Sequence, residues 1–251
     1  MLQLLSLVML SQDPVAHGTA LAARADVLDG GWGIERSRVS IVLDTRTGDA
    51  VDRVFELTQV EAAPGGAGER SMVVLLEPAR HRGLKLLTLT GADGQDEVWM
   101  RLPAHGETRR IAGRKRSSRF LGSEVSLEDL GSRAHGRFTH RWSRDAEHAG
   151  RKCHVVESTP RDPESSYAKL ELWREVETLR LVKVVYYDRA SLAPVKEAVS
   201  SDFVQVGRWW RPSRVVVTNL VTRRATRMTF AERQAQVALN PDAVSRRALE
   251  Q

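Results

Sequence analysis

The sequence predicts a mainly β protein, folded as one large antiparallel meander. Three observations lead there. Apolar residues alternate with period two through most of the chain. Clusters of Gly, Pro and Asp interrupt that alternation at hairpin spacing. The intervals between strand-like segments are too short to hold the crossovers that parallel strands require.

The elements follow in order. From Pro14 to Leu28 the chain is alanine-rich with helical spacing, so Leu21, Ala25 and Leu28 share a face, and "DGG" ends the segment. At Ile34 the period changes. "RVSIVLD" sets Val39, Ile41 and Leu43 on one side, "TRTGD" (45–49) is a turn, and "VDRVFELTQV" resumes the alternation. "SMVVLLEP", "GLKLLTLT", "DEVWMRLP" and "ETRRIAG" read as further strands, with "GADGQDE" (91–97) as a hairpin turn rather than a calcium loop. The alternation returns in "GRFTHRW", "KCHVVEST", "AKLELWRE", "LVKVVYYD", "VKEAVSSDFVQV", "RWWRPSRVVVTNL" and "ATRMTFAERQ". The expectation is about eleven strands. The tail "LNPDAVSRRALEQ" reads as a short amphipathic helix after a capping "NPD".

Composition narrows the function classes. At 251 residues and 41% hydrophobic, the chain can bury a sizeable core and is not disordered. A net charge of +6 favours anionic partners: nucleic acid, lipid headgroups or an acidic protein face. The basic run Arg109, Arg110, Arg114, Lys115, Arg116 and Arg119 contains one aromatic, Phe120. Single-stranded nucleic acid calls for several stacking platforms, so this run reads instead as a solvated loop or a contact for a partner or a headgroup.

Cys153, the single cysteine, rules out an internal disulfide and reads as a buried thiol. No run of about 18 apolar residues is present to cross a membrane as a helix. The apolar start "MLQLLSLVML" resembles a truncated or atypical secretory signal, which makes 1–12 a candidate signal remnant and 13–251 one domain.

Chemistry is sparse. The seven histidines include no H-E-x-x-H motif; His140 and His154 fall on neighbouring predicted strands without a further ligand, and no metal site is expected. No G-x-S-x-G elbow or Walker loop occurs. Glu128 and Asp129 are adjacent and point apart on a helix, which makes a poor acid–base pair. Nothing here points to an enzyme or a cofactor.

Three blocks carry a resemblance. "VWMRLPAHGETRRIAGRKRSSRFLGSEVSLEDL", "DPESSYAKLELWREVETLRLVKVVYYD" and "GRWWRPSRVVVTN" resemble, in this order, the signature of bacterial outer-membrane lipoprotein-sorting proteins related to the LolA-type carriers. The first matches at Trp99, Leu102, Pro103, Arg109, Arg110, Ile111, Phe120, Gly122, Ser123, Glu128, Asp129 and Leu130. The second matches at Tyr167, Lys169, Trp173, Lys183, Val184, Tyr186, Tyr187 and Asp188, among others, and the third at Gly207, Trp209, Pro212, Thr218 and Asn219. Glu124 stands where aspartate is usual, Val125 and Leu127 where aromatics are usual, and Leu220 where histidine is usual.

The resemblance implies an unclosed, strongly curved sheet with helices covering its open side. It also implies a monomeric periplasmic carrier that shelters lipid or lipoprotein acyl chains without covalent chemistry. An inner-membrane exporter and an outer-membrane acceptor would be its partners, membrane contact would be transient, and nucleic acid would play no part. An adaptor that uses the same sheet as a platform is the alternative.

Alternation proposes Phe55, Leu57, Val74, Leu76, Leu87, Trp99, Val155, Leu172, Val184, Tyr186 and Val217 as lipid-binding wall residues. "GSEVSLEDL" would be a short helix or lid. Phe120, Gly122, Ser123, Val125, Leu127 and Leu130 form this lid, its apolar side chains turned into the cavity and its carboxylates outward to arginines.

Overall fold

The computed structural model describes residues 13–43, 51–62, 68–91, 95–103, 106–131 and 133–251. The apolar start (1–12) and the turn at 45–49 lie outside the described residues.

Thirteen strands form one antiparallel sheet, so every strand-like segment quoted above becomes a strand and the expected eleven falls short by two. They are β1 (Ile34–Leu43), β2 (Val51–Val60), β3 (Arg70–Glu77), β4 (Lys85–Thr90), β5 (Asp96–Leu102), β6 (Glu107–Ile111), β7 (Phe138–His148), β8 (Arg151–Pro160), β9 (Tyr167–Glu175), β10 (Leu181–Asp188), β11 (Pro194–Val206), β12 (Trp209–Asn219) and β13 (Ala225–Gln234). The order across the sheet is β6-β5-β4-β3-β2-β1-β13-β12-β11-β10-β9-β8-β7. Each neighbour is the next strand in sequence except at the β1–β13 seam. The sheet is unclosed, with β6 and β7 as its two edges.

The sheet curls. Val73 and Leu75 of β3 share one core cluster with Val184 and Tyr186 of β10, although six strand spacings, about 29 Å on a flat sheet, separate β3 from β10. This inner face holds Val39, Ile41, Phe55, Leu86, Val98, Leu172, Val217 and Met228. Near the edges, Arg137, just before β7, pairs with Asp96 of β5 at 2.9 Å.

Two helices cover the rest. In α1 (Pro14–Asp29), Asp13 caps by accepting a bond from the Val15 amide at 3.0 Å, and Pro14 opens the first turn. Leu21, Ala22 and Ala25 are buried, and α1 packs on the inner side of β7 and β8 with Trp142 and Val156. Leu28, expected on the buried face, is 54% exposed in the last turn of the helix. Close approach explains Gly18: a Cβ there would lie 2.3 Å from the Trp142 backbone nitrogen.

The tail forms α2 (Arg246–Glu250), capped by Ser245. It brings Val244 and Leu249 onto the outer face against Ile34, Val60, Met72 and Leu87, while the Arg246 guanidinium lies 3.5 Å from the Trp99 ring centroid. The sheet is therefore buried on both faces around Ile34, Val60, Met72 and Leu87 of β1–β4. Cys153 is buried, and burial raises its thiol pKa.

Candidate functional site

Residues 112–137 join β6 to β7. Because those strands are the two edges of the sheet, this segment must cross the open side. It forms a strap across the inner face. Among its described residues there is no α-helix. Single 3-10 turns at Phe120–Gly122 and Glu128–Leu130 replace the expected short helix, and the Arg119–Ser126 bridge ties the strap to itself. Leu121 (φ 50) and Gly122 (φ 81) reverse the chain, so the Phe120 amide bonds the Val125 carbonyl at 2.7 Å. Glycine's freedom is needed at that reversal.

The reversal drives three apolar side chains inward. Phe120, Val125 and Leu127 are each less than 5% exposed and join the inner-face core. The Phe120 ring meets Phe55 edge-on, centroids 5.7 Å apart. Leu121 and Leu130 pack at the margin, half-buried.

The strap carboxylates do not turn outward as a group. Glu124 is buried and reaches Asn219 at 3.0 Å and Arg119 at 3.1 Å, with Arg224 at 3.6 Å, while its amide bonds Thr226 Oγ1 at 2.8 Å. Glu128 accepts bonds from the hydroxyls of Ser165 and Ser166. Asp129 points into the sheet. It accepts from the Ser126 amide (2.7 Å), from the Tyr167 hydroxyl (2.8 Å) and from the Lys196 ammonium.

Lys196 is buried, with Nζ 5.0 Å from the Tyr167 ring centroid and 4.6 Å from that of Tyr186. It donates to the Tyr167 oxygen. Burial, then the Asp129 carboxylate, raises the Tyr167 pKa well above normal, so its hydroxyl keeps the proton it gives to Asp129. Burial also raises Tyr186, whose hydroxyl accepts from Arg133 at 2.8 Å. A cavity of about 50 Å³ opens beside Asp129, Tyr167 and Tyr186. That is room for a water or two and not for an acyl chain.

The proposed wall residues divide by face. Phe55, Leu57, Leu172, Val184, Tyr186 and Val217 line the inner face under the strap. Val74, Leu87 and Trp99 lie on the outer face under the C-terminal segment, so on β3, β4 and β5 the inner residues are instead Val73, Leu75, Leu86, Val98 and Met100. Leu76, half-buried, falls at the β2–β3 register shift, where strict alternation breaks. Val155 is buried but pairs with Trp173, opposite in face to the Val156–Leu172 pair.

The basic run scatters too. Arg109, Arg110, Lys115 and Arg119 are exposed, the first two paired with Glu107 and Glu97. Arg116 is a correction: it is buried and bonds Asp162 at 2.6 Å, which unfits it for meeting a partner. Burial opposes ionisation of Asp162, but the Arg116 bond holds its carboxyl below the usual range. The Arg114 side chain lies outside the described residues. His140 bonds Ser158 while His154 bonds Asp145, so the two do not converge. No group of three metal-ligating side chains forms among the described residues.

Reading from the sequence missed Lys196, Thr226 and Arg133. A lone lysine in an alternating segment carries no sign that its partner is a carboxylate distant in sequence, and neither Thr226 nor Arg133 carries a local sign of the Glu124 amide or the Tyr186 hydroxyl it meets. Asp129, Tyr167 and Asn219 do stand in the three blocks that carry the resemblance, and those blocks meet here.

Comparisons with known proteins bear on the fold. A family model described as "Uncharacterized protein" matches residues 67–251. No curated protein matches the chain. Among solved structures, a domain from Vibrio parahaemolyticus assigned to outer-membrane lipoprotein sorting superposes with a TM-score of 0.89 at 26% identity, covering 94% of this chain and 100% of that one. A DUF1329 family protein from Desulfovibrio piger gives 0.87 at 25% identity, covering 94% and 99%. A LolA superfamily protein from Nitrosomonas europaea gives 0.74 at 18% identity over 92% and 98%, a likeness of fold alone. The architecture is LolA-like.

Proposed function

The chain belongs to the family whose model spans residues 67–251, and from the fold it shares with a lipoprotein-sorting domain we propose that it is a periplasmic carrier of lipid or lipoprotein acyl chains. The observation that carries this reading is the apolar inner wall covered by a segment that adds no strand to the sheet. Phe120, Val125 and Leu127 fill the place an acyl chain would take.

Magnitudes favour exchange. Burying each of those side chains contributes roughly 1.5–3 kcal/mol. A buried acyl chain contributes about 0.8 kcal/mol per CH₂, so about fourteen carbons contribute about 11 kcal/mol. One chain therefore offsets the loss of all three contacts, with the strap lifted and the sheet intact. No bond is made or broken. An exporter would load the carrier and an outer-membrane acceptor would empty it.

A second reading, a non-catalytic adaptor of an exporter, is favoured by the filled interior. Native mass spectrometry of protein purified from its own periplasm, with lipid extraction, separates the two. A bound mass released as phospholipid or acylated peptide supports the carrier. Empty protein that also refuses a fluorescent fatty acid supports the adaptor.

A further inference from the structure

We infer that Lys196, held between Tyr167 and Tyr186, is the receptor for an anionic, phosphate-class headgroup on the lipid cargo, and that Asp129 occupies the headgroup's place while the strap is closed. This rests on the carrier reading above and names the cargo class for that site.

The argument is one of ownership. Tyr167, Lys196 and Tyr186 stand on β9, β11 and β10, three adjacent strands of the wall. Asp129 belongs to the strap. When the strap lifts, the cation and both phenols stay while their carboxylate leaves. An ammonium left in an apolar wall without an anion is strongly disfavoured. An apolar chain alone leaves it so. A lipid that also carries a phosphate-class oxygen restores what Asp129 supplied.

The donors suit that replacement. The Tyr167 hydroxyl gives Asp129 a bond at 2.8 Å and the Lys196 ammonium gives a second. They reach the two oxygens of one carboxylate, Oδ1 from Tyr167 and Oδ2 from Lys196, and Asp129 itself borders the small cavity. Charge-assisted bonds of this kind are the strong ones. The ring faces at 5.0 and 4.6 Å from Nζ hold the ammonium in place; one of its protons goes to the Tyr167 oxygen, and the proton now given to Asp129 passes to the incoming anion.

The test is a titration of the full chain with dimyristoyl phosphatidylglycerol, with the matching uncharged diacylglycerol, and with inorganic phosphate. Bound mass and hydrogen exchange over 118–130 are the readouts. The phosphatidylglycerol is expected to bind at least about tenfold tighter than the diacylglycerol, a gap of about 1.4 kcal/mol. Lys196→Met should bring that ratio to within about threefold of one, and Lys196→Arg should keep most of it. Asp129→Asn should tighten both lipids while leaving their ratio unchanged, because it weakens the strap and not the wall.

Equal binding of both lipids by the unaltered protein overturns the headgroup receptor and leaves the carrier standing. A preference that survives Lys196→Met also overturns it. Inorganic phosphate that lifts the strap by itself overturns the lipid source and makes this a small-anion site. Binding of neither lipid removes the carrier reading and this inference together. Should Lys196→Met fail to fold, the native ratio and the Lys196→Arg ratio decide.

Discussion

Glu124 is the residue through which the strap grips the seam side of the sheet. It is buried, with Asn219 and Arg119 on its carboxylate and Thr226 on its amide. A hydrogen bond to a buried charged group contributes about 1.5–3 kcal/mol, while Arg119, at 43% side-chain exposure, adds little. Glu124→Ala should therefore lower stability by about 2 kcal/mol, read as a shift in the urea midpoint at constant slope. His140 offers a pH test. The His135 carbonyl only accepts, so Nε2 carries the proton and Nδ1 accepts from Ser158. Burial lowers its pKa below 6.5. The unfolded state then binds more protons, so this residue's contribution is full above about pH 6.5 and is lost as pH falls toward the folded value. His140→Gln should flatten the decline in stability between pH 7 and pH 5 relative to the unaltered protein, measured by paired urea melts.

At the scale of elements, α1 is decided by close approach and not by propensity. Gly18→Ala would favour an isolated helix by about 1 kcal/mol. Its Cβ would fall 2.3 Å from the Trp142 nitrogen, which is backbone and cannot turn aside. Overpacking of this kind costs about 1–3 kcal/mol, so the variant should melt below the original in a calorimetric scan. Elements also show what the sequence could disclose. On β1, Arg38 and Ser40 alternate with Val39 and Ile41, and the inner face is legible from that contrast. On β3 and β4, "VVLL" and "LKLL" have apolar residues at adjacent positions because α2 and its approach bury the outer face as well. Alternation loses its contrast there, and a one-residue error in phase sends Val74, Leu87 and Trp99 to the wrong side. The strap defeated a helical reading for another reason. Its conformation is set by contacts with β9, β11, β12 and β13, which no local pattern encodes.

At the scale of the whole molecule, nearly every pairing is between consecutive strands, and the β1–β13 seam is the exception. Sheet ladders hold the wall, whereas side-chain contacts and one isolated bridge hold the strap. Local opening should follow that division. Backbone amides at 118–130 should exchange faster than those of β9–β12, by about tenfold or more, in native-state hydrogen exchange. Uniform protection across both would mean that strap and sheet open as one unit, which the carrier reading does not allow.

The strap is covalently fixed at both ends, to β6 and to β7. It is therefore a tethered competitor whose local concentration at the inner wall does not fall when the protein is diluted; short flexible tethers hold such a segment at roughly millimolar effective concentration. Any cargo must outcompete a rival that is always present. Affinity is lowered for every guest by the same factor, because each must wait for the strap to lift. A carrier built in this way gives up tight retention and gains the ability to empty itself wherever a receiving surface offers a modestly better home.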